Sequence, residues 1–191
     1  ENDLEFLRAN HGEDNWFLHI ETFDPHEPYF TQQHYKDLYA HEYDGPQFDW
    51  PPYRPVSETP EQVDHCRREN AALVSMCDAH LGKVLDHMDE YGLWDDTLLI
   101  VNTDHGFLLG EHDWWAKCVQ PFYEEVSHTP LFIWDPRCRR AGETCDCLVQ
   151  TIDLPATLLE YFGQDLPPDM QGVPLRDTVA DDAPVREAAL F

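Results

Sequence analysis

An α/β fold is predicted by three features of the sequence. Two short apolar runs bounded by turn residues, 97–103 and 130–134, read as buried strands. Apolar residues at three- and four-residue steps, Val74, Cys77, Leu81, Val84, Leu85, Met88 and Tyr91, read as the stripe of an amphipathic helix. Strand and helix patterns alternate along the chain, which points to a mostly parallel sheet sandwiched by helices.

Taken in order, residues 15–23 (NWFLHIETF) form a short apolar run that reads as a first buried strand. It breaks at Asp24-Pro25-His26-Glu27-Pro28-Tyr29, where two prolines impose a non-regular backbone. Residues 30–60 are rich in Tyr, Pro and Asp and read as a long excursion packed by its own aromatics. The helix over 61–91 starts well, with Thr59 as cap and Pro60 in the first turn, and stops at Gly92. The strand over 97–103 ends against Gly106, the strand over 130–134 lies in TPLFIWDP, and 147–150 reads as a short third. A helix over 153–162 stops at Gly163, and 176–191 has little pattern.

The chain has 191 residues, enough for one sizeable core and too few for two ordinary domains, so 1–191 reads as a single partial domain. The formal charge is −26, from 12 basic and 38 acidic residues. This argues against nucleic acid and anionic membrane surfaces as partners, because both demand a basic face. A small anionic substrate is not excluded: the Debye length is ~8 Å at physiological salt, so a local cation dominates its own site. No apolar run approaches the ~20 residues of a membrane span, and no signal peptide is evident. Compartment and oligomeric state stay open. The six cysteines include one C-x-C pair, Cys145 and Cys147, and no C-x-x-C; they read as free or buried thiols.

The chemistry concentrates in VNTDHGFLLGEHDWWAK, residues 101–117. Sites in open α/β sheets form at the carboxyl ends of strands, where Asp104 and His105 fall. A carboxylate and an imidazole can both give lone pairs to a divalent cation, and Gly106 lets the backbone turn sharply after them. His26 sits in its Pro-flanked loop at the end of another predicted strand, and Lys117 closes the loop that starts at Gly106. A cation, an imidazole and a lysine at one point suit a tetrahedral oxyanion ester.

T-D-H-G-F-L-L-G-E-H-D-W-W-A-K resembles the second signature of the sulfatase family, within the alkaline phosphatase superfamily. D-P-H-E-P-Y resembles that family's His-bearing loop. F-Y-E-E-V-S-H-T-P-L-F-I, I-D-L-P-A-T-L-L-E-Y-F-G and M-Q-G-V-P-L resemble its later segments, so the likeness covers most of 15–175. It implies an alkaline-phosphatase/sulfatase-like α/β fold, present in part, and hydrolysis of a small-molecule or saccharide sulfate ester. By position, Asp104 and His105 would be metal ligands, of calcium foremost and magnesium as the alternative. His26 and Lys117 would contact the sulfate group and the bridging oxygen. Phe107 stands where an acidic residue is common.

The family nucleophile is a formylglycine made in a C/S-x-P/A-x-R motif. Cys66-Arg67-Arg68 and Cys138-Arg139-Arg140 do not fit it, nor do Ser57 and Ser75. Asp95-Asp96 precedes a strand, unlike the family's acidic pair. The expectation is therefore a later portion of a catalytic domain, without the nucleophile-bearing part: inactive alone and weak in metal affinity. The same superfamily's phospho- and phosphonate-ester hydrolases are the first alternative, and a non-catalytic binding module of this fold is the second.

Of the remaining polar residues, Glu111, His112 and Asp113 read as a solvated loop. His19 reads as a satisfied core histidine. Trp114 and Trp115 read as a substrate entrance or as anchors that hold Lys117. The aromatic loop 48–53 is a candidate wall for a saccharide.

Overall fold

The structure, a computed structural model, describes residues 2–190. Its longest element, Pro60–Glu90, keeps the boundaries its sequence signals set. Thr59 accepts from the Gln62 N–H while the Gln62 side chain accepts from the Thr59 N–H, so two otherwise orphaned donors are satisfied. Gly92, at φ 66°, turns the chain out of the helix.

In chain order the elements are α1 (Asn2–Asn10), α2 (Gln33–Lys36), α3 (Pro60–Glu90), β1 (Leu99–Asn102), β2 (Leu108–Leu109), β3 (Trp115–Ala116), α4 (Glu124–Ser127), β4 (Leu131–Trp134), α5 (Asp153–Tyr161) and α6 (Arg176–Asp181). They fall into two compact units. Glu1–Tyr91 with His105–His128 makes one, and Gly92–Asp104 with Thr129–Phe191 makes the other.

In the first unit, α3 supplies one wall of a core built from Tyr29, Cys66, Leu73, Trp115 and Ala116. Phe48, Val56, Val63, Met76, Phe107 and Leu109 pack around it. The excursion over 30–60 is thus partly core, with Phe48 edge-on to the Trp115 ring at 5.4 Å. Burial pushes the Cys66 thiol up to about 12, so it behaves as a small apolar side chain. β2 and β3 form an antiparallel hairpin, Leu108 opposite Ala116 and Leu109 opposite Trp115.

In the second unit, β1 pairs antiparallel with β4, Leu99 opposite Trp134 through Asn102 opposite Leu131. α5 packs through buried Ala156 and Thr157; the Thr157 hydroxyl donates to the Asp153 carbonyl and accepts from the Leu175 N–H. Asp135, nearly sealed from solvent, is held by Arg137, which also pairs with Glu160 on α5. Burial works against the Asp135 charge, but the Arg137 hydrogen bonds outweigh it and its carboxyl titrates below the usual range.

Several expectations are corrected. Among the described residues both sheets are antiparallel pairs, not a parallel ladder. Parallel neighbours need a helical crossover, whereas the chain between β1 and β4 carries only a hairpin and the one-turn α4. Residues 15–23 and 147–150 are not strands, since neither joins a ladder with a described strand. Phe17 and Phe23 are accordingly exposed, and His19 is exposed rather than a core histidine. Residues 176–181, read as patternless, form α6.

Candidate active site

Lys117 is 8% exposed, unusual for a lysine, and its surroundings explain how it is held. Its ammonium lies 2.9 Å from Nε2 of His26 and 3.1 Å from Nε2 of His105. His26 Nδ1 lies 2.6 Å from the Glu27 carbonyl oxygen, and His105 Nδ1 lies 3.0 Å from the Gly106 carbonyl oxygen. A carbonyl only accepts, so each Nδ1 carries the proton and each Nε2 offers its lone pair. Lys117 donates to both rings. Three residues far apart in sequence therefore meet at one point in the first unit.

The loop that aims Lys117 is fixed from several directions. Trp115, fully buried, donates through its indole N–H to Glu58 at 2.8 Å, and its backbone N–H bonds the Arg54 carbonyl. Burial raises the Glu58 carboxyl, but hydrogen bonds from Ser57, Trp115 and Arg54 prevail and hold it low. Val56 N–H bonds the Asp113 carbonyl, and Arg67 on α3 bonds the Leu109 carbonyl at 2.8 Å. Of the earlier alternatives for Trp115, this is the anchor. Glu111 caps the Leu109 N–H at 2.5 Å, while His112 reaches both oxygens of exposed Glu125 at 3.1 Å, as a solvated loop would.

The backbone here is strained. His112, Asp113, Ala116 and Cys118 have φ of 54°, 60°, 72° and 78°, so Lys117 stands between two left-handed residues that are not glycine. Such conformations cost roughly 1–2 kcal/mol each and persist where the surroundings dictate them. Gly106 meets a different demand. A Cβ there would lie 1.8 Å from the Glu125 carbonyl oxygen, so only glycine fits between His105 and α4.

One residue of this site, Glu27, is not singled out in the sequence, and a second, Tyr53, reads there only as part of an aromatic wall. Glu27, its side chain 2% exposed, lies 3.9 Å from the Lys117 ammonium and accepts from the Tyr53 hydroxyl at 2.5 Å. Burial, the hydrogen bond to Glu27 and that residue's charge push the Tyr53 phenol well above its ordinary value. The Phe107 ring faces the Lys117 ammonium at 5.8 Å and meets Tyr29 and Tyr53 edge-on. The nearest hint was position, since Glu27 adjoins His26 and Tyr53 closes the aromatic loop.

Asp104 belongs to the second unit, where the Thr103 hydroxyl donates to it at 3.4 Å. The division between the units runs between Asp104 and His105. A carboxylate and an imidazole suit a divalent cation by type. Calcium takes 6–8 oxygen donors, however, and no three His, Cys, Asp or Glu converge among the described residues. These two donors alone do not make a cation site.

A buried lysine with two imidazoles on an α/β scaffold is the kind of site that handles tetrahedral anions, and the chain belongs to the sulfatase family, whose model matches residues 1–164. It thereby lies within the alkaline phosphatase superfamily. It is 32% identical over 128 residues to the N-acetylglucosamine-6-O-sulfatase of Bacteroides thetaiotaomicron, covering 65% of this chain and 23% of that protein. A solved structure holding D-glucosamine-2-N,6-O-disulfate is 29% identical, with a TM-score of 0.60 over 68% of this chain and 26% of that one. The phosphonate monoester hydrolase of Agrobacterium radiobacter shares the fold, with a TM-score of 0.75 at 24% identity over 98% of this chain and 43% of that one. The chain thus spans less than half the length of the relatives it matches. Among the described residues no helix is long and apolar enough to cross a membrane.

Proposed function

We propose that this chain is part of a sulfuric ester hydrolase that cleaves the sulfate ester of a small molecule or saccharide. The single observation that carries the reading is Lys117, buried and aimed between the Nε2 atoms of His26 and His105. The names of the relatives support the sulfate ester, and the disulfated glucosamine bound in one of them supports a saccharide.

In the reading, the ester's non-bridging oxygens replace the imidazole lone pairs as acceptors of the Lys117 hydrogens. As the S–O bond to the leaving group breaks, charge gathers on those oxygens and on the leaving oxygen. Lys117 neutralises the first; His26 Nε2, freed as Lys117 turns to the ester, takes up a proton from solvent and hands it to the second. Asp104 and His105 would supply two ligands of a divalent cation, calcium foremost, whose chemistry is to polarise the ester. Its remaining ligands and the formylglycine nucleophile would come from residues outside these 191, so this chain alone would not turn over.

The test uses the full-length protein on paired sulfate, phosphate and phosphonate esters of one alcohol. Sulfate hydrolysis that is lost in Lys117→Ala is expected. A strong preference for the phosphorus esters overturns the reading in favour of the superfamily's other hydrolases, and no turnover of any ester favours a binding module.

A further inference from the structure

The cluster around Lys117 contains one group that the reaction as proposed does not use. Glu27 is buried beside the lysine, in an ion pair at 3.9 Å, with side chains 2% and 9% exposed. The two imidazoles beside Lys117 are neutral by their hydrogen bonding, so lysine and glutamate cancel. Phe107, Tyr29 and Tyr53 wall the pair with aromatic rings, and little water is left to screen its charges.

We infer that Glu27 is a specificity-determining residue that biases the Lys117 site toward singly charged tetrahedral anions and against doubly charged ones. The inference rests on the anion-ester reading above. An anion that takes Lys117's hydrogens also meets the field of the Glu27 carboxylate, 3.9 Å from the ammonium. A dianion feels twice the repulsion from Glu27 that a monoanion feels. A cation bound nearby would attract both, but it leaves the Glu27 contribution unchanged. The substrates selected are therefore sulfate monoesters and singly charged phosphonate monoesters or phosphodiesters, with phosphate monoesters disfavoured. Tyr53 moderates the effect, because its hydroxyl draws charge from Glu27 through their 2.5 Å hydrogen bond.

Glu27→Gln removes the charge and keeps an acceptor for Tyr53. The experiment measures calorimetric Kd values of the full-length protein and this variant for inorganic sulfate, a dianion, and methyl sulfate, a monoanion. The preference for methyl sulfate should fall about tenfold in the variant, the scale of one charge within a few ångströms of another. A merely structural role would weaken both anions alike, and a preference within twofold of the parent overturns the inference. Failure of the parent to bind either anion overturns it as well. If Glu27→Gln does not fold, Tyr53→Phe gives the opposite test: a stronger Glu27 charge raises the preference about two- to threefold, and an unchanged or reduced preference refutes the idea. A shifted preference in a protein that hydrolyses no sulfate ester would defeat the proposed function while leaving this inference standing.

Discussion

Replacing Gly106 by alanine adds one methyl group where the fold leaves no room. The new Cβ would sit 1.8 Å from the Glu125 carbonyl oxygen, 2.9 Å from its carbon and 3.2 Å from the Val126 Cα. All three are backbone atoms, so no side chain can swing aside. The Gly106 N–H also donates to the Val126 carbonyl at 2.8 Å, and the separation that relieves the clash lengthens this bond. Losing a buried backbone hydrogen bond costs about 1 kcal/mol, and forcing a methylene into a packed site costs about 1–3 more. The expected loss is therefore about 2–4 kcal/mol, a fall in Tm of roughly 6–12 °C for a chain of this size. Thermal unfolding by circular dichroism measures it. A Gly106→Ala protein within about 0.5 kcal/mol of the parent, the range of ordinary surface substitutions, refutes the close-packing argument.

Other outcomes follow from the same geometry. Asp135 has a folded-state pKa below its unfolded value, so its contribution is present above about pH 4 and is lost as pH falls through the lower folded value. Asp135→Asn should lower neutral-pH stability by about 3 kcal/mol, as for a broken buried pair, and should flatten the acid limb of a denaturant-midpoint series against pH. Cys118→Gly, at an exposed position with φ 78°, should raise stability by about 0.5–1 kcal/mol in urea titration, because left-handed strain is relieved at some entropic cost. Lys117→Ala in the full-length protein should lower kcat on a sulfate ester by about 10²–10³, the loss typical of removing one oxyanion-stabilising donor. A change below tenfold in steady-state assays would count against Lys117 as the anion contact.

Local rules made part of this molecule legible. Thr59, Pro60 and Gly92 bound α3 because capping, proline at the first turn and a left-handed glycine act within a few residues of themselves. Gly163, at φ 65°, ends α5 in the same way. The meeting of His26 and Lys117 was legible through their motifs, and the fold brings them together with His105. What stayed hidden depends on distant neighbours. The apolar run at 15–23 looks like a strand, but a strand exists only when another segment accepts its hydrogen bonds. Glu27 looks like any surface acid; its burial is set by Tyr53 and Lys117, which no short window contains. The hairpin of β2 and β3 has two residues a side, too short for a period to register.

The hydrogen bonds from Lys117 to two imidazoles have a consequence for any anion the site would bind. The ammonium is never naked: before any anion arrives, its hydrogens already rest on nitrogen lone pairs. An incoming oxyanion exchanges one set of acceptors for another, so only the difference between the two sets shows up as affinity. If the proposed hydrolysis takes place, the inorganic anion it leaves can be displaced by the His26 imidazole, which stays in the site. On that reading, a pocket that keeps its own resident acceptors would hold its product loosely, and release would not wait for water to flood in.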